Sequence, residues 1–350
     1  MSFILAHVGD NEDRCLHIGL VNNMPDSALE RTELQYSNLF VNAAPAIHLR
    51  WSYFSLGGIV RGAVGQRHFE HKSYRNMTEL SRVQPDALIV TGTEPGGLRL
   101  EHEPYWAALT KLFDWLHLES RPAIFSCLAA HAAVFYFDHI RRRPLTSKLS
   151  GMFNELKVDR HEFTDGLKSV FPVAHSRCNE LPCVALEQGG YRVLTEARDA
   201  GAGLFVKQGM ENWLFFQGHP EYDHGALGRE YRRDVRKFLT RQREIYPGLP
   251  AAYYTKAENE SLIRFKARAI AHRDESIMEE FPAEACSRAS TGGGKPQTGE
   301  IFRVWLNRIA AVKAAKLART AARRGGGTDV IPNLRRHAAH VPQMLWTSKG

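Results

Sequence analysis

The chain has no run approaching the roughly 18 consecutive apolar residues of a membrane-spanning helix, which excludes that class of structure. Cysteine is scarce. Five of the 350 residues are Cys15, Cys127, Cys178, Cys183 and Cys286, scattered and odd in number, so no disulfide framework is encoded. Metal-ligand spacing is missing too. Cys178 and Cys183 lack a second ligand pair and read as structural thiols, while His68, His71 and His131 belong to no ligand pattern. Gly292–Gly293–Gly294–Lys295 has the wrong spacing for a phosphate loop and no strand before it. Internal repeats are absent. The opening Met1–Ser2–Phe3–Ile4–Leu5 has no basic region ahead of its short apolar patch and soon turns acidic. It makes a poor signal peptide, and the expected location is the cytoplasm.

Excess charge is also missing from most of the chain. The formal net charge is +8, but residues 301–350 hold ten Lys/Arg against Asp329 alone. That tail carries +9 and leaves −1 for residues 1–300. The basic character therefore belongs to the tail, and neither nucleic acid nor a membrane is an expected partner.

What is present is a core-forming composition, 43% hydrophobic and 24% charged. Runs rich in β-branched and aromatic residues predict buried strands at Cys15–Asn22, Ile47–Leu56, Ala87–Thr91, Pro122–Cys127, Arg192–Glu196, Gly203–Lys207 and Trp213–Gln217. Helical spacing predicts helices at Ala28–Phe40, capped by Pro25–Asp26–Ser27, and at Tyr105–Leu118 and Leu128–Phe137. Gly225 to Glu244 reads as a charged helix and residues 247–300 as irregular. Ile301–Arg324 reads as an amphipathic helix with Ile301, Val304, Trp305, Ile309, Val312 and Leu317 on one side, broken by Gly325–Gly326–Gly327. Strand–helix alternation predicts an α/β fold with a mostly parallel, doubly wound sheet flanked by helices. Ligands bind such sheets beyond the carboxyl ends of the strands.

Cys127 and His219 both lie at such ends. Cys127 follows Pro122–Ala123–Ile124–Phe125–Ser126 and opens a helix, where the N-terminal dipole favours a thiolate. His219 follows Trp213–Leu214–Phe215–Phe216–Gln217–Gly218 and precedes Pro220–Glu221. An imidazole can take the thiol proton, and a carboxylate such as Glu221 can orient that imidazole and stabilise its protonated form. Backbone N–H groups around Leu128 would face a developing oxyanion. A lone Cys at a strand end is ordinarily packing, but two ionisable groups ending a second apolar strand need a reason to be there. The combination points to acyl-transfer chemistry.

On these residues the sequence resembles the homoserine O-succinyltransferases of methionine biosynthesis, whose fold is like that of class I glutamine amidotransferases. The resemblance covers about residues 15–311 and rests on Ile18–Pro25, Asp86–Gly92, Tyr105–Trp106, Phe125–Cys127, Lys148–Gly151, His175–Arg177, Gly218–Asp223, Glu230–Asp234 and Ile301–Asn307. It implies that Cys127 carries the acyl group as a thioester, with His219 as proton acceptor and Glu221 as its partner. It also implies that Lys148, Ser176 and Arg233 bind the amino-acid acceptor. Gly96 falls where the family tunes acyl choice, glycine going with succinyl-CoA and glutamate with acetyl-CoA. Arg99 is a candidate for the succinyl carboxylate. The sequence departs from the family at Asp26–Ser27, where a basic residue is usual, and at His131, where glutamine is usual.

The expectation is an acyltransferase domain over 1–311 and a basic C-terminal helix with a loose tail over 312–350. It would move a succinyl group from succinyl-CoA to the hydroxyl of homoserine. Its partners would be small-molecule substrates (an acyl-CoA and homoserine or a similar hydroxy amino acid), with a homodimer as candidate assembly. No cofactor and no metal is expected, since succinyl-CoA acts as a co-substrate. Three alternatives stand beside it. The donor can be acetyl-CoA, or the acceptor serine or another hydroxy amino acid. The triad can serve a glutamine amidotransferase-like hydrolase, although Phe125 and Ala129 occupy the glycine positions of Gly-x-Cys-x-Gly. The scaffold can also have become a binding protein, against which intact Cys127, His219 and Glu221 speak.

Overall fold

The structure is a computed structural model that describes residues 15–97, 99–210, 212–282 and 297–324. The N-terminal patch, Cys286, the Gly292–Lys295 loop and the tail beyond 324 lie outside the described residues. The strands are β1 (Leu16–Val21), β2 (Leu49–Ser55), β3 (Arg75–Asn76), β4 (Ala87–Val90), β5 (Ala123–Ser126), β6 (Arg143–Lys157), β7 (Val170–Glu180), β8 (Tyr191–Val193), β9 (Thr195–Ala197), β10 (Gly201–Ala202), β11 (Leu204–Lys207) and β12 (Trp213–Phe216). The helices are α1 (Leu29–Ala43), α2 (Ala63–His71), α3 (Leu80–Val83), α4 (Trp106–Leu118), α5 (Leu128–Asp138), α6 (Glu162–Asp165), α7 (Cys183–Gln188), α8 (Ala226–Leu239), α9 (Lys256–Ala271) and α10 (Gly299–Arg324).

Eight strands form the main sheet in the order β3-β2-β1-β4-β5-β12-β11-β8. From β3 to β12 every pairing is parallel, and β11 and β8 add an antiparallel edge. Successive side chains of the parallel strands enter opposite cores, as the period of two requires. Phe125 and Phe215 join α4 and α5 on one face, while Ile124 and Phe216 join α1 and α10 on the other. The fold is thus α/β and doubly wound, as expected from the strand–helix alternation.

Several boundaries differ from the sequence reading. Arg192–Glu196 is two strands, β8 in the main sheet and β9 in a second, antiparallel sheet ordered β10-β9-β6-β7. The long hairpin β6–β7 of that sheet had no counterpart in the sequence reading, because its strands mix polar residues with apolar ones and lack a long buried run. The supposed cap of α1 does not cap it. Asp26 instead accepts from the Gly62 N–H at 2.8 Å and from Arg61 at 3.2 Å, and no side chain caps the helix. Residues 247–300 are not irregular throughout. Thr255 and Glu258 form a capping box that starts α9, and Leu262, Phe265 and Ala269 bury one stripe of it against α8.

The C-terminal helix α10 runs without a break through residue 312. Its buried stripe is Ile301, Phe302, Trp305, Leu306 and Ile309, whereas Val312 and Leu317 are exposed. The first turns of α10 are therefore part of the core. Phe302 is fully buried and stacks on Phe216 of β12 at 5.6 Å between ring centroids. Phe302→Ala is expected to cost about 3–5 kcal/mol, read from urea unfolding. A loss under about 1 kcal/mol would mean that the helix covers the sheet without being needed by it.

Candidate active site

The site is built where β5 and β12 run side by side. Their register pairs Ser126 with Phe216, so the residues that follow each strand emerge together at its carboxyl end. Cys127 donates its backbone N–H to Phe216 O at 2.7 Å and sits at φ 51°, ψ −110°. A positive φ in a non-glycine residue is a costly conformation that the flanking strand and helix must enforce. It turns the chain sharply from β5 into α5. Leu128 is the first residue of α5, and no intrahelical carbonyl can accept its N–H. Gly92 lies opposite. A Cβ there would stand 3.2 Å from the Leu128 nitrogen, so glycine keeps that N–H accessible.

His219 is held from the other sheet. Its backbone N–H donates to Ala174 O of β7 at 2.7 Å, an isolated antiparallel bridge. Its Nδ1 lies 2.8 Å from Glu221 Oε1, which leaves Nε2 for the hydrogen bond that the imidazole shares with the Cys127 thiol. Tyr222 stacks on the imidazole at 4.2 Å. Ser126 Oγ approaches the same Glu221 oxygen at 3.5 Å. Burial opposes a charge on His219, but the Glu221 carboxylate and Cys127 outweigh it and hold the imidazole protonated well above its ordinary range. His219 is thus in contact with Cys127 on one side and with Glu221 on the other.

They line a cavity of about 460 Å³ whose walls also carry Lys148, Ser176 and Arg233. Lys148 stands in a register irregularity of β6 between Pro144 and Leu149, the kind of bulge that re-aims a side chain. Its Nζ lies 2.8 Å from Asp234 and 3.2 Å from Glu230, both on α8. Ser176 donates to Glu230, as does Tyr222 at 2.5 Å. Arg233 reaches Asp234 at 3.1 Å and Glu94 at 3.2 Å. Burial works against the Glu230 carboxylate, yet Lys148 and Arg233, with the hydrogen bonds from Ser176 and Tyr222, hold it at about 2. The wall thus presents fixed charges of both signs.

Sequence reasoning missed Glu230, Asp234 and Tyr222, although all three stand inside segments that carried the resemblance. It missed Arg142 and Arg177 as well. Both line the cavity, and Arg142 donates to Gly97 O at 3.4 Å. Arg99 is exposed and lies off the cavity wall. Gly96 adjoins Gly97, a lining residue, and a Cβ on Gly96 would stand 3.6 Å from the Glu103 carboxylate. Cys178, read as a structural thiol, is exposed on this wall instead. Cys183 is half-buried, and burial followed by Glu196 pushes its thiol up to about 11. His131 is fully buried and bonds Gln217 at 3.0 Å, and burial brings it down to about 3. His68 meets Glu33 at 2.6 Å. Among the described residues no cluster of His, Cys, Asp or Glu could hold a metal ion, and no helix is long and apolar enough to cross a membrane.

A thiol at a strand-to-helix corner, an imidazole beside it and a zwitterion-like wall on a mostly parallel sheet suit an α/β acyltransferase. A model of the homoserine O-succinyltransferase family matches residues 6–279, and the chain belongs to that family. It is 41% identical over 293 residues to a homoserine O-succinyltransferase of Methylorubrum extorquens, covering 84% of this chain and 87% of that one. It is 40% identical to the homoserine O-succinyltransferase of Rhodopseudomonas palustris, over 85% of this chain and 89% of the relative. A solved glutamine amidotransferase from Methylobacillus flagellatus aligns at 10% identity and a TM-score of 0.46, over 85% of this chain and 95% of its own.

Glu221→Gln removes the negative charge that lifts His219, so the imidazolium loses its proton at lower pH. The alkaline limb of the pH–rate profile is expected to move to lower pH, and an unmoved limb would show that Glu221 does not set the charge of His219.

Proposed function

We propose that this enzyme transfers a succinyl group from succinyl-CoA to the hydroxyl of homoserine, a step of methionine biosynthesis, through a thioester on Cys127. The observation that carries the reading is the Cys127–His219–Glu221 chain of contacts in a cavity also lined by the Lys148–Ser176–Glu230–Arg233–Asp234 network. The Cys127 thiolate attacks the thioester carbonyl, and the CoA sulfur leaves with a proton from the His219 imidazolium. His219, now neutral, takes the proton of the acceptor hydroxyl as that oxygen attacks the acyl-enzyme. The Cys127 thiolate departs and the O-acyl amino acid is released. The Leu128 N–H faces the oxyanion in both steps; one such donor typically contributes about 3–4 kcal/mol to lowering the barrier.

The charged wall suits an amino acid as acceptor. Arg233 and Lys148 offer cations for its carboxylate, and Glu230 and Asp234 offer carboxylates for its ammonium. The donor's own carboxylate has a partner in Arg142, on the wall shared by Gly97 and Cys127. Gly96 leaves that end free of a second carboxylate beside Glu103. The same triad could act on an amide, but the absence of glycines at 125 and 129 speaks against a glutaminase.

Mass spectrometry of the protein mixed with succinyl-CoA alone is expected to find one succinyl mass on Cys127, and an unmodified Cys127 would sink the thioester route. Arg142→Met is expected to reduce kcat/KM with succinyl-CoA by about tenfold or more while sparing acetyl-CoA. Equal losses with both donors would remove Arg142 from acyl selection.

A further inference from the structure

Beside the Cys127 cavity lies a second groove of about 580 Å³. The two share Met24, Thr32, Tyr222, Glu230 and Arg233, so they adjoin. Five arginines line this groove against one carboxylate, Glu230. Four of them, Arg229, Arg232, Arg233 and Arg236, recur on α8 at the spacings that put side chains on one helix face. The opposite face of α8 buries Tyr231, Val235 and Phe238. Arg31 of α1 faces them across the groove.

Like charges at these spacings repel, so the arrangement works against the helix unless anions neutralise it. The neighbouring carboxylates balance it in part. Asp223 holds Arg229 at 2.6 Å and reaches Arg31 at 3.7 Å. Glu275 stands 3.6 Å from Arg236. Arg233 is engaged with Glu94 and Asp234. Arg232 lies over the Phe281 ring at 5.7 Å, and among the described residues no carboxylate pairs with it. Bulk charge does not account for this concentration, because residues 1–300 sum to −1.

We infer that this groove binds the phosphate groups of the acyl-CoA, with Arg31, Arg232 and Arg236 as their principal partners. Guanidinium forks match phosphate oxygens two at a time. An anchored nucleotide end lets the pantetheine arm run past Tyr222 and Arg233 and deliver the thioester to Cys127. The assignment rests on an acyl-CoA being the donor, and it adds where and by what chemistry the non-reacting end is held. Binding energy from that remote end can then position the reacting carbonyl.

The test uses the full chain and the Arg232→Glu/Arg236→Glu double variant. Calorimetric titration with CoA is expected to show affinity reduced by about tenfold or more in the variant, with an unchanged melting temperature. Equal affinity in the two proteins overturns the inference. Acylation of Cys127 by succinyl-pantetheine, which has no phosphate, is expected to survive in the variant. If that acylation falls in parallel with CoA affinity, the substitutions act on the shared cavity and the phosphate assignment fails. The outcomes separate this inference from the donor reading. An unmodified Cys127 in the unaltered protein with succinyl-CoA, alongside CoA binding that still depends on Arg232 and Arg236, sinks the thioester route and leaves the groove's role standing.

Discussion

Everything at the site depends on one strand pairing. Ser126 of β5 stands opposite Phe216 of β12, and each chain leaves its strand at that point. Two residues far apart in sequence thereby emerge beside each other, one into a helix and one into a loop. A slip of one residue would send every side chain of the shifted strand to the other face. Phe125 or Phe215, whichever strand slipped, would then trade the α4–α5 core for the α1–α10 core, so the hydrophobic layers enforce the register that the chemistry uses. The carbonyl of Phe216 closes the arrangement by accepting the Cys127 N–H.

The second sheet has a different task. It supplies Ala174, which fixes the His219 backbone, and Ser176 two residues further along the same strand. Lys148 comes from the partner strand β6. The His219 imidazole and the charged wall are thus both tied to this hairpin, and Tyr222 links them by stacking on His219 while donating to Glu230. Buried charges are expensive unless each has a partner. Here Lys148, Glu230, Arg233 and Asp234 satisfy one another, so the wall keeps its charge without a substrate.

The parallel sheet was legible in the sequence because its strands are buried on both faces and read as continuous apolar runs. Cys127 and His219 were legible for the same reason, as polar groups that end such runs. The β6–β7 hairpin was not, since a sheet with one wetter face dilutes its apolar residues among charged ones. The capping box at Thr255 and Glu258 carried a readable signal for α9 that the irregular look of 247–300 concealed. Lys148, Ser176 and Arg233 reached one wall through family resemblance alone. Spacing along the chain cannot reveal that a β6 lysine meets α8 carboxylates, because that contact is set by how the second sheet docks.

The position of α10 in the core has a consequence for biosynthesis. Phe40 and Phe216 are covered by Phe302 and Trp305, from nearly the last described stretch of the chain. A nascent polypeptide emerging from the ribosome already holds the cysteine and the histidine, yet part of one side of its central sheet stays open to water until residues 301–309 arrive. During that interval the exposed aromatics are a target for chaperones and an invitation to aggregation. Maturation of this enzyme therefore waits on its closing helix.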